Sequence, residues 1–327
     1  MSHNLQIEQV YDLVQWDKII NSLEGHPLQL SNWGELKAKN QWSVNRIAIY
    51  DSGKIISAVQ ILTRKLPFPF KAISHIPRGP IIKKGESEIK ILNQISKWIK
   101  TNLRSIAIIC EVDFLKGQFS YSSKWSISKT PILFNKTLII DLNLANEKLY
   151  SNLNRKNRNH IRHAEAAGVK VKIAKTKKDV EAALSVYKKV AARAGFALHN
   201  DSYFYNAFEL GIGPLYIGYI ENKAVSFLWE AQSNKTCFEL WGGANEEGQK
   251  AYANNLVKWF AICNMKKNGV SRYDMNGLLN AGITNFKKSF EKREDVLVES
   301  HTLILNPLYY LYTLSYKALK LFKKFFK

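Results

Sequence analysis

The chain has 327 residues, 46% hydrophobic and 12% aromatic, which supplies enough apolar side chain for a sizeable core and excludes a disordered or fibrous protein. Lysine and arginine number 48 against 27 acidic residues, a net charge of +21. That surplus disfavours cationic partners and favours a polyanion, whether nucleic acid, a nucleotide-linked substrate or anionic lipid headgroups, although a Lys-rich solvated surface gives the same sum.

The N-terminal run MSHNLQIEQVYDLVQWDKII is polar at its start and carries no cleavable apolar stretch. No later apolar run reaches the roughly 20 residues that a transmembrane helix requires, so the reading is a cytoplasmic protein. From Asn45 to Leu62, NRIAIYDSGKIISAVQIL alternates apolar and polar residues around a polar turn and predicts two half-buried strands. A strand and glycine turn (ISHIPRGPII), a helix (EIKILNQISKWIKTNL) and a strand running to an acid (SIAIICEVD, ending at Asp113) follow. The basic stretch from Leu149 to Ile173 predicts a helix stopped by Gly168, then a short strand.

The same order of events then returns. LYIGYIENKAVSFLWEAQ, Leu215 to Gln232, is again a strand pair, followed by TCFELWGGAN, the helix YANNLVKWFAICNMKKNG and VSRYDMNG. Both helices carry Lys-Trp at equivalent places, and Asp113 and Asp274 close equivalent strands. The pattern is that of a duplicated mixed α/β (α+β) domain: residues 1–148, residues 149–303, and a basic amphipathic C-terminal helix over 304–327. With no Gly/Ser linker between them, the halves are expected to pack together. Cys110, Cys237 and Cys263 stand far apart in apolar stretches without CxxC spacing, as buried thiols of a reducing compartment do.

Five stretches in order, LQLSNWGELKAKNQW, ILTRKLPFPFKAISHIPRGPII, NRKNRNHIRHAEAAGVKV, NNLVKWFAICNMKKNGVSRYDMNGL and GITNFKKSF, resemble the FemABX family, from about Leu28 to Phe290. The resemblance implies two tandem GNAT-like acyltransferase domains. It also implies transfer of an amino acid from aminoacyl-tRNA, as co-substrate in place of a cofactor, to an amine of a peptidoglycan precursor peptide. The long helical arm of some members has no counterpart here, so the chain looks like the compact branch, with a nucleotide- or lipid-linked muropeptide as acceptor.

Ester aminolysis needs a neutral amine, yet a lysine-type amine with a pKa near 10.4 leaves only about one molecule in a thousand neutral at pH 7. It also needs a cation or donor for the tetrahedral oxyanion, typically worth about 3–4 kcal/mol. By resemblance, Lys287 after Phe286 is the expected oxyanion partner and Asp113 the base or orienter of the amine, although Phe114 follows it where the family usually has proline. Lys37 matches a lysine on the phosphates of a nucleotide-linked substrate. His199 stands where such members carry an arginine for those phosphates, ahead of the matching Tyr203. Imidazole lacks the guanidinium fork, which speaks against that acceptor. Glu239 and Trp241 replace family tyrosines in the same substrate pocket.

The loop GGANEEGQKAYANN lacks the glycine spacing of acetyl-CoA-using GNAT domains and places two glutamates where a phosphate would approach. Pro80 in the first copy removes an amide donor at the corresponding place. Neither copy looks built for coenzyme A, and Gly242 and Gly243 are expected to allow close approach of the acceptor. His160 and His163 lie three apart in the basic helix without further ligands nearby, so no metal is expected; the helix suits the tRNA acceptor stem. Residues 306–327 read as a helix able to lie on an anionic membrane surface. Two other readings remain open: a GNAT-like N-acyltransferase of an envelope polysaccharide, and an inactive RNA- or membrane-binding relative.

Overall fold

In the computed structural model, residues 5–315 are described; the last part of the expected C-terminal helix, 316–327, lies outside them. The principal elements in chain order are β1 (Gln6–Gln9), α1 (Leu13–Ser22), α2 (Ser31–Ala38), β2 (Ser43–Asp51), β3 (Lys54–Lys65), β4 (Ala72–Pro77), α3 (Glu88–Asn102) and β5 (Ser105–Glu111). Then come β6 (Ile139–Asp141), α4 (Arg155–Ala166), β7 (Lys170–Ile173), α5 (Lys177–Ala194), α6 (Asp201–Glu209), β8 (Leu215–Ile220), β9 (Lys223–Gln232) and β10 (Thr236–Ala244). The series closes with α7 (Ala253–Lys267), β11 (Arg272–Asp274), α8 (Ala281–Lys288) and β12 (His301–Ile304).

The chain divides into two compact units, one of Met1–Leu23, Lys37–Asn135 and Leu297–Lys327, the other of Glu24–Leu36 and Lys136–Val296. The boundaries expected at 148/149 and 303/304 therefore fall elsewhere. In the first unit the sheet runs β1-β2-β3-β4-β5-β12. All its main pairings are antiparallel except β4 with β5, joined through α3 and registered with Ile76 opposite Cys110. Helix α3 forms because Ser87 caps it, its side chain accepting from Lys90 N, and because Ile91, Leu92, Ile95 and Ile99 make one apolar stripe against the sheet.

Strand β3 departs from the expected alternation, since Ile56 to Thr63 are buried without a break. Its polar members are satisfied inside: Ser57 Oγ donates to Ile81 O at 2.7 Å, Gln60 accepts from Arg46 Nε at 2.8 Å, and Thr63 meets Ser74 Oγ at 3.1 Å. A central strand covered on both faces keeps its polar residues only by pairing them.

The second unit repeats the order as β7-β8-β9-β10-β11-β6, with β10 and β11 parallel through α7. The duplication legible in the sequence is thus a duplication of topology. Each sheet takes its sixth strand from outside the repeated stretch: β12 follows the whole second copy, and β6 comes ahead of it in the chain. No repeated motif marks either strand.

The glycine-rich stretch after β10 is a strand-to-helix turn. Asn245 caps a short helix, Glu246–Lys250, accepting from Gly248 N, and Tyr252 turns at φ 54° into α7. Among the described residues no helix is long and apolar enough to cross a membrane. A Cβ on Gly248 would lie 2.2 Å from the Val225 carbonyl oxygen, which backbone cannot yield. Gly248→Ala is expected to cost about 1–3 kcal/mol, read as a lower denaturant midpoint at unchanged slope.

Candidate active site

In the second unit β9 and β10 lose register at one residue. Trp229 opposes Trp241 and Glu230 opposes Glu239, which leaves Leu240 as the extra residue of a bulge. Without it, positions 239 and 241 would point to one face; the bulge sends them to opposite faces. Trp241 joins Trp229 and Phe227 on the side of α5 and α6, where Tyr187 meets Phe227 at 5.0 Å between ring centroids and Phe204 meets Trp241 at 5.2 Å. Glu239 and Glu230 turn to the side of α7.

There a polar network is buried. Lys258 Nζ of α7 lies 2.9 Å from the Glu239 carboxylate, the two side chains being 5% and 9% exposed. The Lys258 ammonium also sits over the rings of Phe286 at 4.9 Å and Phe290 at 5.5 Å. The Tyr273 hydroxyl reaches Glu239 at 2.9 Å and makes a second, shorter hydrogen bond to Glu230. A phenol has one hydrogen and cannot serve two carboxylates, so one carboxyl group must carry its own. Burial pushes Glu230 up to about 8, and Glu230 is the group that keeps the proton at neutral pH. The chain of donors therefore runs from the Glu230 acid to the Tyr273 oxygen, and from the Tyr273 hydroxyl to the Glu239 carboxylate that faces Lys258.

Lys287 is brought to the same side by α8. Asn280 starts that helix by accepting from Ile283 N, and Lys287 falls in its last turn, pointing inward. Its Nζ donates to the carbonyl oxygens of Met275 at 2.5 Å, Asn276 at 3.1 Å and Gly277 at 2.8 Å. Three ammonium hydrogens meet three main-chain acceptors, and burial lowers the pKa to about 8. The expected oxyanion partner is thus first of all the anchor of loop 275–277, where Asn276 holds φ 60°. Asp274 secures the same loop from below, accepting from Thr137 Oγ1 at 2.6 Å and Asn276 N at 2.8 Å. Asn276 Nδ2 donates to Glu239 O at 3.0 Å, so loop and bulge are tied together.

The other expected substrate-pocket residues gather on the opposite face of β10. Exposed His199 stacks on Tyr203 at 4.0 Å and 15°, and Tyr203 sets its ring against Trp241 at 5.9 Å. Burial drives the Tyr203 phenol upward, so it is neutral there. Glu239, Phe286 and Lys287 thus form one group and His199, Tyr203 and Trp241 another. Gly242 and Gly243 lie against Leu228 and Val190, which a Cβ on each would meet at 3.1 and 3.0 Å; the close approach they allow is to the protein's own side chains.

Phe286 also lines a cavity of about 580 Å³ with Lys156, His160, Tyr252 and Lys288. His160 stacks on Tyr252 at 3.8 Å while His163 meets the same ring edge-on at 5.2 Å, so the two histidines hold Tyr252 between them. A second cavity of about 440 Å³ is lined by Arg155, Arg158 and Lys292, so the basic α4 lines both openings.

Lys37 and Asp113 belong to the first unit. Lys37 ends α2, half buried, and burial lowers its pKa to about 8. β5 ends at Glu111, opposite Pro77, so Glu111 and not Asp113 is the counterpart of Asp274 as the strand's terminal buried acid. Burial would raise Glu111, but His75 at 2.8 Å and the N–H groups of Ile132 and Leu133 hold it below the usual carboxylate range. Half-buried Asp113 stands two residues further on, in the loop.

Lys258, Glu230 and Tyr273 were not legible as site residues. The one signal was the shared Lys-Trp: its lysine in α3, Lys97, is exposed, whereas Lys258 in α7 is buried and paired, a divergence visible only once burial is known.

The FemAB family model matches residues 17–111 and 129–210, more than half of the chain. Over 225 residues the chain is 25% identical to the lipid II:glycine glycyltransferase of Staphylococcus epidermidis, covering 62% of this chain and 54% of that protein. It is 26% identical over 242 residues to the lipid II:glycine glycyltransferase of Staphylococcus haemolyticus, covering 65% and 57%. The chain thus spans little more than half the length of these relatives. Among solved structures, the crystal structure of FemX superposes with a TM-score of 0.82 at 17% identity, covering 93% of this chain and 99% of that one. A tandem GNAT protein from the clavulanic acid biosynthesis pathway gives 0.56 at 9% identity, covering 91% and 98%. At such identities what is shared is the fold, and it is the tandem GNAT-like fold.

Removing Lys258 strands the Glu239 carboxylate: Lys258→Met is expected to cost about 3–5 kcal/mol, and the double variant with Glu239→Gln to recover most of it in denaturant unfolding. Glu230 supplies a pH signature. Its folded pKa of about 8 exceeds the ordinary 4.5, so its contribution is whole below pH 4.5 and drains away as pH rises towards 8. Relative to Glu230→Gln, the parent is expected to lose roughly 3–5 kcal/mol across that window, measured as unfolding free energy against pH.

Proposed function

The chain belongs to the FemAB family, and we propose that it transfers an amino acid from aminoacyl-tRNA to an amine of a lipid-linked peptidoglycan precursor, forming a peptide bond. An acceptor of that kind is met at the inner face of the cell membrane. The observation that carries the reading is the loop–bulge junction of the second unit: a buried cation, Lys287, anchored beside a splayed strand that also bears a buried Lys–Glu pair. The staphylococcal relatives are lipid II:glycine glycyltransferases, which supports the reaction type and the lipid-linked acceptor.

In the proposed reaction the neutral acceptor amine attacks the ester carbonyl carbon of the aminoacyl-tRNA. A C–N bond forms, the C–O bond to the ribose breaks, and the amine's proton ends on the departing hydroxyl. Water-poor surroundings make each charge count for more. Lys287 is the proposed oxyanion partner, exchanging one carbonyl bond for the developing negative oxygen. Its pKa near 8 keeps it mostly protonated at neutral pH, which the role requires. Asp113 is the proposed base or orienter of the amine. The cavity that Phe286 shares with basic α4 suits the charged end of tRNA, since Lys156 and Lys288 there can neutralise phosphates. The exposed His199 offers an imidazole, without a guanidinium fork, where a diphosphate-binding arginine would sit, which favours a lipid-linked over a nucleotide-linked acceptor.

The test is a transfer assay with tRNA charged with labelled glycine, alanine or serine, offering lipid-linked and nucleotide-linked muropeptides side by side. Label is expected in the lipid-linked acceptor. Transfer to neither, with tRNA binding intact, would sink the proposal. Lys287→Ala is expected to lower turnover on the order of 10²–10³-fold while tRNA affinity changes little; equal activity would remove Lys287 from the reaction.

A further inference from the structure

The turn joining β3 to β4 in the first unit reads Lys65-Leu66-Pro67-Phe68-Pro69-Phe70-Lys71, an apolar tip with a lysine at each base. Two main-chain bonds close it, Leu66 N to Lys71 O at 2.8 Å and Phe70 N to Pro67 O at 2.9 Å. The turn is therefore a formed projection. At its tip Phe68 is 97% exposed, the barest large apolar side chain among the described residues.

The turn does not stand alone. Leu66 and Phe70 pack on a small cluster with Ile106, Ala107 and Tyr309, and Phe70 meets Tyr312 at 5.5 Å. Tyr309 and Tyr312 belong to a helical stretch at 308–315, which leaves Tyr310, Leu311 and Leu314 exposed at 60%, 52% and 64%. Turn and helical stretch are thus two parts of one apolar surface, riveted by the Phe70–Tyr312 contact. Isolated exposed apolar residues need no explanation, but contiguous ones mark an interaction surface.

Charge identifies the partner. No Asp or Glu occurs between residues 52 and 85, nor from residue 300 to the end of the sequence. Arg64, Lys65 and Lys71 are exposed around the turn or partly so. Protein interfaces deplete lysine at their centres, whereas lysines flanking an apolar tip extend to headgroup phosphates while the tip enters the acyl boundary. Each lysine adds attraction to an anionic leaflet and none to a zwitterionic one.

We propose that the Leu66–Phe70 turn and the helical stretch 308–315 dock the protein on an anionic membrane surface, Phe68 entering the bilayer interface and Lys65 and Lys71 pairing with lipid phosphates. The purpose of such docking rests on the lipid-linked acceptor reading. Its test uses no substrate, so the two stand or fall separately.

The experiment is co-sedimentation of the full chain with vesicles of phosphatidylcholine, with and without phosphatidylglycerol. The parent is expected to pellet with the anionic vesicles and to be released by salt. Phe68→Ser should weaken binding at least about fivefold, as loss of a buried phenyl ring predicts. Lys65→Glu with Lys71→Glu should abolish the preference for phosphatidylglycerol. Tyr11→Ser, which removes an exposed aromatic of the same unit at 78% exposure, should bind like the parent. A Phe68→Trp variant keeps the apolar tip, and its emission should move further to the blue than the parent's on adding anionic vesicles only. Unchanged binding by Phe68→Ser, an emission shift in Phe68→Trp no larger than the parent's, or a parent that stays in solution would each overturn the proposal. So would a parent dimer that Phe68→Ser dissociates without any effect on vesicle binding, since the patch would then serve self-association.

Discussion

The second unit is organised around one pair of opposite charges removed from water. Two ions in a protein interior are tolerated only when each faces the other and their remaining hydrogen-bonding capacity is met. Lys258 and Glu239 satisfy that condition at 2.9 Å, with Tyr273 completing the carboxylate and two phenyl rings covering the ammonium. The requirement reaches outward. Glu239 faces α7 only because the bulge at Leu240 turns it there, and the same bulge frees Trp241 to join the aromatic group on the other face. Glu239 O in turn receives Asn276, whose loop Lys287 anchors. A chain of obligations thus links a strand irregularity, a helix and a loop, and none of the three would hold its geometry alone.

The two units solve the same topological problem with different chemistry. At the end of its parallel inner strand each buries an acid, Glu111 in one and Asp274 in the other, and each acid holds neighbouring main chain by accepting N–H groups. In the first unit the partner is a histidine on the adjacent strand; in the second it is Arg272, two residues earlier on the same strand. The helices carrying the shared Lys-Trp have diverged further, the lysine facing solvent in α3 and the interior in α7. Duplication preserved the frame, and specialisation shows where charge went inside.

Much of the fold was legible in the sequence because it depends on local pattern. The apolar stripe of α3, the polar turn between β8 and β9, and the repeated order of elements all follow from periodicity that needs no partner to be seen. The strands β6 and β12 were not legible, being short segments that become strands by pairing with distant chain. Nor was the unbroken burial of β3, whose Ser57, Gln60 and Thr63 read as a solvent face until their partners are known. For the site, the resemblance brought attention to Phe286, Lys287, Glu239, Tyr203 and Trp241. It did not separate them into two faces, because a one-residue bulge leaves no mark in composition. Glu230 and Tyr273 passed as strand residues, since a buried acid and a solvated one are spelled alike.

The origin of the sixth strands bears on how the chain comes into being. Synthesis runs from the N-terminus, and β5 emerges long before the strand that will lie beside it. Until residues 301–304 leave the ribosome, the inner edge of the first sheet has unpaired N–H and C=O groups where β12 will sit. The first unit is therefore begun first and finished last, and the second unit, whose own outer strand β6 is made ahead of it, can close in the interval. The order of completion is inverted relative to the order of translation. A nascent chain halted before His301 is left with an open sheet edge, and β12 acts as the latch that retires it.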